Sequence, residues 1–170
     1  QVSEKAGVLN IGIEGMMLLG AYTGFVAAFY SGSLWLGFLA GAVGGLSVAA
    51  LMALLCVLLR LNQIVIGIAL TLGVDGITAL VHHVQFSRTY PRLPGVQTLP
   101  IPLLSDIPII GRALFDRHPM VYMAVIMVIL LAWLFRSTHI GLNLQAAGDK
   151  PAALDAAGVS VTATRIWAVL

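Results

Sequence analysis

The chain has 170 residues, 59% of them hydrophobic and 9% charged, with a mean hydropathy of +0.99. Ordinary soluble domains carry about 25% charged residues, so this composition does not fit a water-soluble fold, and lipid is the solvent for much of the chain. A net charge of only +2, with no basic run or stripe, excludes a nucleic-acid partner, and one cysteine, Cys56 in an apolar run, makes neither a disulfide framework nor a metal site.

A bilayer core about 30 Å thick needs about 20 apolar residues as helix. Backbone groups in lipid must bond internally, so the spans are helices and not open strands. The expected fold class is therefore all-α, a polytopic transmembrane helical bundle. With no initiator Met at Gln1 and a stop at Leu170 inside the apolar run Ile166–Leu170, the chain reads as a fragment from the middle of a longer protein.

The first expected span runs from Val8 to Tyr30, interrupted by Asn10 and Glu14. The second, Leu34 to Leu59, carries no charge, and the third, Ile64 to Val84, carries Asp75. A proline-rich loop follows from Gln85 to His118, with Pro91, Pro94, Pro100, Pro102 and Pro108, which must lie mostly outside the hydrocarbon. The fourth span is Pro119 to Phe135. The polar stretch Arg136 to Arg165 then lies on the opposite side of the membrane from the proline-rich loop, and a fifth span is expected to begin after Arg165. Taking Arg136–Arg165 as cytoplasmic puts Lys5, Arg60, Arg136, Lys150 and Arg165 inside and Arg88, Arg92, Arg112 and Arg117 outside, so the positive-inside rule barely decides orientation. Trp35, Trp133 and Trp167 fall near span ends, which suits interfacial belts.

Gly37, Gly41 and Gly45 repeat every fourth residue in the second span, and Gly20 and Gly24 do so in the first. Such a groove lets a neighbouring helix approach closely. Glu14 and Asp75 are the two acids inside apolar runs, and a carboxylate there faces a cavity or a partner. Asn10 and Glu14 would share a face if the helix were continuous. Gly7, Gly12 and Gly15 weaken that helix, so Gly7–Gly15 reads as an irregular element, either near a solute path or bridging helices. Thr71 adds a hydroxyl to the polar groups Asn10, Glu14 and Asp75. The segment Gly148-Asp149-Lys150-Pro151-Ala152-Ala153-Leu154-Asp155-Ala156-Ala157-Gly158-Val159 starts on proline and stops on glycine, the pattern of a short helix. At about two turns it is too short to stand alone, so it should dock onto something. There is no P-loop, no H-E-x-x-H and no G-x-S-x-G motif. The adjacent His82 and His83 cannot point one way on a helix.

Two of these segments carry a resemblance. Glu4-Lys5-Ala6-Gly7-Val8-Leu9-Asn10-Ile11-Gly12-Ile13-Glu14-Gly15-Met16-Met17 resembles the signature of the inner-membrane permeases of nucleoside and simple-sugar importers, within the branched-chain amino acid and ribose permease family of ABC transporters. Gly148–Val159 resembles that family's cytoplasmic loop of the form G-x-N-P-x-A-A-x-x-A-G-[IV], with Lys150 where Asn is usual, so a favoured N-cap is missing unless Asp149 takes over. Asn62-Gln63-Ile64-Val65 is similar to a stretch that usually reads Asn-Glu-Val-Ile, and Asp106–Gly111 fits an external loop.

The resemblance implies that residues 1–170 are part of a transmembrane permease domain, with 136–165 as its cytoplasmic coupling loop and Gly148, Asp149, Lys150, Pro151, Ala153, Leu154, Ala157 and Gly158 as the ATPase contact. It implies a second permease chain, ABC ATPase subunits carrying ATP-Mg, and an extracytoplasmic solute-binding protein or lipoprotein. The setting would be the bacterial inner membrane. No cofactor or catalysis of its own is expected of the chain. The solute expected is neutral and hydroxylated, a nucleoside or simple sugar, with Asn10, Glu14, Thr71 and Asp75 on its path. A branched-chain amino acid permease, or a membrane channel or scaffold outside this family, is the alternative.

Overall fold

The computed structural model describes residues 2–87, 99–100, 116–117 and 119–170. The expected proline-rich loop and its Asp106–Gly111 phrase lie almost wholly outside the described residues. The chain divides into two compact bodies, Gln1–Leu93 with Asn143–Leu170, and Pro94–Leu142.

The first body begins with one turn of helix, α1 (Val2–Lys5). Gly7, at φ +77°, ends it. Its amide donates to Glu4 O (3.0 Å) and the Val8 amide to Ser3 O (2.9 Å), the paired bonds of a Schellman stop. The chain is then non-helical as far as Gly12, and α2 runs from Ile13 to Ser31. The first span is thus shorter than Val8–Tyr30: the glycines and Asn10 deny the chain a helix until Ile13. Gly32, in the left-handed region, caps α2, and the tight turn sends α3 (Leu34–Met52) back antiparallel against it.

The α2–α3 contact is backbone on backbone. A Cβ at Gly24 would sit 2.9 Å from Gly37 O, and one at Gly41 would sit 2.9 Å from Gly20 O. Gly45 takes a looser place, with Met16 O at 3.4 Å, and Gly44 instead receives the Thr23 side chain. The Thr23 hydroxyl lies 2.8 Å from Leu19 O and 3.1 Å from Ala40 O, sharing its proton between its own helix and the neighbour.

Beyond Met52 the second span continues as a π-helical segment, Ala53–Leu58, where the Leu59 amide reaches back to Leu54 O. Arg60 follows at φ +55°, a conformation that costs a non-glycine residue about 1 kcal/mol. Asn62 then caps α4 (Gln63–Phe86), its Oδ1 accepting from the Ile64 and Val65 amides at 3.0 and 3.3 Å. α4 lies against α2, with a Cβ at Gly15 falling 3.1 Å from Thr71 Cα. At the far end of the pair, Phe25, Phe29 and Phe86 form an edge-on aromatic cluster that also takes in His82, whose ring centroid is 5.2 Å from that of Phe86.

The stretch expected as a polar loop is mostly helical. α6 (His139–Asp149) reaches into this body at Asn143, followed by the short α7 (Pro151–Ala156) and by α8 (Val161–Val169). α8 starts at Val161, where the Ser160 hydroxyl caps it through the Ala163 amide at 3.3 Å. The helix thus begins ahead of Arg165, which lies inside it. A small core of Val8, Met52, Ala53, Cys56 and Val169 draws the N-terminal segment, the π segment and α8 together.

In the second body, Leu99–Pro100 (β1) pairs antiparallel with Asp116–Arg117 (β2). α5 (Pro119–Ser137) follows. Thr138 Oγ1 donates to Leu134 O at 2.6 Å and accepts from the Gly141 amide at 3.1 Å, turning the chain into α6. A side chain at Gly141 would run into Leu134 O.

Among the described residues three helices are long and apolar enough to cross a membrane: Ile13–Ser31, Leu34–Leu58 and Gln63–Phe86. A fourth is reached if Val121–Ser137 and His139–Asp149, bent by 74°, count as one span. Large apolar side chains such as Val84, Trp35 and Met17 stand exposed on these helices, as lipid or further helices require.

Candidate functional site

The meeting of α2 and α4 forms a cleft of about 460 Å³ lined by Ile11, Ile13, Glu14, Ile68, Thr71 and Leu72. Glycine makes it possible: Gly12 and Gly67 touch, with Gly12 N 3.0 Å from where a Gly67 Cβ would be, and Gly15 rests on Thr71. Glu14 stands exposed in the first turn of α2, where the helix dipole favours an anion. The Thr71 hydroxyl donates to Gly67 O at 3.0 Å and keeps acceptor capacity toward the cleft.

Of the four polar residues expected on a solute path, the fold brings together Glu14 and Thr71. Asn10 precedes α2 rather than sharing a helix face with Glu14. Its Nδ2 contacts the Met16 sulfur at 3.6 Å, and its buried Oδ1 has no hydrogen-bond partner among the described residues. Asp75 lies one residue beyond the buried Val74, so it points off the face that α4 packs on α2. The neighbouring Gly73 and Gly76 have nothing within 4 Å of a Cβ position among the described residues.

The second site is the Gly148–Val159 segment. Pro151 opens α7 with Lys150 as N-cap, and no side chain caps the helix. Asp149 does not take over that role, because it is the last residue of α6. Gly158, at φ +80°, closes α7 in a second Schellman stop, with Val159 N to Leu154 O at 3.2 Å and Gly158 N to Asp155 O at 2.9 Å. Leu154 is the one buried side chain of α7; Pro151, Ala152, Ala153, Asp155 and Ala156 are exposed, as is Ala157 beyond it.

These two segments meet. A Cβ at Gly7 would lie 3.1 Å from Gly148 Cα, and one at Gly148 would run into Lys5 O. Arg165 fastens the contact: its Nε donates to Ala6 O at 3.2 Å and its Nη2 to Ala147 O at 3.1 Å. The Leu9 amide, in the linker, donates to Gln63 Oε1 at 2.7 Å. Glutamine keeps the acceptor oxygen that a glutamate would offer there, so the lost charge does not cost this bond. Sequence reading registers Arg165 and Gln63 only as a charge and a lost charge. An arginine inside a serine-capped helix, next to the apolar run Ile166–Leu170, is the signal that points to a buried partner. Among the described residues no group of three His, Cys, Asp or Glu side chains could hold a metal ion.

Helices of membrane-spanning length, packed through glycine around a cleft that holds Glu14 and Thr71, place the chain among polytopic helical membrane proteins. The chain belongs to the family described as branched-chain amino acid transport system / permease component, whose model matches residues 1–170. It is 37% identical to a protein named as a candidate glucose ABC transporter permease, TsgC13, of Haloferax volcanii, over 99% of this chain and 52% of that protein. It is 34% identical to the nucleoside ABC transporter permease protein NupC of Lactococcus lactis, over 98% of this chain and 55% of that one. It is 30% identical to the guanosine ABC transporter permease protein NupQ of Bacillus subtilis, over 99% and 56%. The chain thus spans about half the length of the curated relatives it matches. No solved structure matches it.

Proposed function

We propose that this chain is part of the membrane-spanning permease subunit of an ATP-driven importer in a bacterial inner membrane, carrying a nucleoside or, second, a simple sugar. The observation that carries the reading is α7: a proline-started, glycine-stopped helix anchored by Leu154 alone, with its small side chains left exposed for a partner. In this reading Arg136–Arg165 faces the cytoplasm, and α7 docks on an ABC ATPase subunit that binds ATP-Mg. A second permease chain completes the path, and a solute-binding protein or lipoprotein delivers from outside. Hydrolysis of ATP on the partner switches the access of a cavity to which the Glu14–Thr71 cleft contributes.

The cleft supports the solute class. Its ionisable group is an acid, Glu14, and no Lys or Arg lines it. An anion there would meet repulsion and no compensating cation, which is costly at low dielectric. A neutral hydroxylated solute needs only hydrogen bonds, which Glu14 and Thr71 can accept.

Proteoliposomes holding the whole transporter test both parts. Ala153→Arg and Ala157→Arg should abolish uptake and co-purification of the ATPase; unchanged assembly refutes the docking. Parent nucleosides should compete for uptake and nucleoside monophosphates should not. Equal competition by the monophosphate refutes the charge argument.

A further inference from the structure

We infer that Arg165 is a positioning residue that joins the coupling segment to the N-terminal segment as one mechanical body, so that motion of α7 reaches the Glu14–Thr71 cleft. The inference rests on the docking of α7 proposed above. It begins with two backbone carbonyls that have no regular partner. In a continuing helix Ala147 O would accept from residue 151, but Pro151 has no N–H. Ala6 follows the last helical residue of α1, and the chain beyond it is non-helical, so its carbonyl lacks a helical donor as well. Both residues are 0% exposed, which keeps water from serving either oxygen. One guanidinium supplies both, through Nε to Ala6 O and Nη2 to Ala147 O. A planar fork holds two separated carbonyls in fixed geometry, whereas a lysine ammonium offers its three donors from a single point.

The same joint is built a second time in the backbone, where Gly7 and Gly148 approach too closely for a side chain on Gly148. From Gly7 the connection to the cleft is short and held throughout. Val8 is 1% exposed in the core beside Met52 and Cys56. The Leu9 amide is bonded to Gln63, and Gly12 rests on Gly67, next to Ile13 and Glu14. The alternative route, from α7 straight into the end of the second span, is interrupted. A cavity of about 500 Å³, which Val8, Gln63 and Arg165 also border, is lined by Pro151, Ala152 and Asp155 of α7 and by Val57, Arg60 and Leu61 at the end of the second span. α7 packs instead on α8, the helix that carries Arg165. Force applied to α7 therefore passes into α8, which carries the Arg165 joint and also packs on the π segment through Val169.

The test uses the complete transporter in proteoliposomes and reads three quantities: ATPase co-purification, ATP hydrolysis, and solute moved per ATP. Arg165→Gln should keep the ATPase bound and hydrolysing while solute moved per ATP falls about tenfold or more, since the loss of even one of the two bonds from the charged donor is worth about that factor. Arg165→Lys should lie between the two. An unchanged ratio in Arg165→Gln overturns the inference. If that variant does not assemble, Arg165→Lys and Gly148→Ala are read, and a wild-type ratio in both overturns it equally. A loss of ATPase binding in step with uptake in all three variants also overturns it, since that is a folding or docking defect. Ala153→Arg run alongside separates the two proposals. If it leaves assembly intact, the docking reading fails; if it abolishes assembly while Arg165→Gln leaves the ratio intact, only the Arg165 inference fails.

Discussion

Replacing Gly37 by Ala should destabilise the bundle, although alanine is the better helix former. The added Cβ would stand 2.7 Å from Ala28 Cβ and 2.8 Å from Gly24 O, and ordinary contact begins near 3.4 Å. Neither obstacle is a flexible side chain, so α2 and α3 must part by about 0.6 Å, a gap at which the surrounding atoms forfeit roughly a quarter of their dispersion attraction. Overpacking of this kind costs about 1–3 kcal/mol, against about 1 kcal/mol gained in helix propensity. Gly45→Ala is the matched control on the same helix. It gains the same propensity, and its nearest neighbour, Met16 O, is already at an ordinary 3.4 Å. Equilibrium unfolding of the purified transporter in mixed micelles, followed by tryptophan fluorescence, should place Gly37→Ala about 1–3 kcal/mol below Gly45→Ala. Equal stability of the two variants would refute the claim that backbone contact between α2 and α3 is what these glycines provide.

Cysteines at Ile11, Ile13 and Ile68 should react with small aqueous thiol reagents and be protected by solute, whereas one at the buried Val74 should stay inert in every state; uniform inertness argues for plain packing at the cleft. Gln63→Glu should leave thermal stability near wild type, and Gln63→Leu should lower it by about 1 kcal/mol for the lost Leu9 amide bond. Gly158→Ala places a side chain at φ +80° and should cost about 1 kcal/mol, read as loss of α7 amide protection in hydrogen exchange.

Much of this was legible along the chain, because a membrane span is decided by the hydrophobicity of consecutive residues. A stretch such as Leu34–Leu58 or Gln63–Phe86 cannot stay in water and cannot enter lipid except as helix, so hydropathy alone set these two spans to within a few residues. The ends of α7 were equally local, since Pro151 and Gly158 act through their own backbone preferences. Glycine spacing announced close packing but not its partners: only the antiparallel register puts Gly24 on Gly37, and Thr23 rather than another helix on Gly44. The four polar residues looked alike in sequence, and it took the α2–α4 crossing at Gly15 and Thr71 to gather Glu14 with Thr71 and leave Asp75 on another face. The joint of Gly7, Gly148 and Arg165 had no local signature, because its bonds span up to 159 positions of sequence separation. A carbonyl left without a donor by a proline finds its partner only once the chain has folded back to bring one.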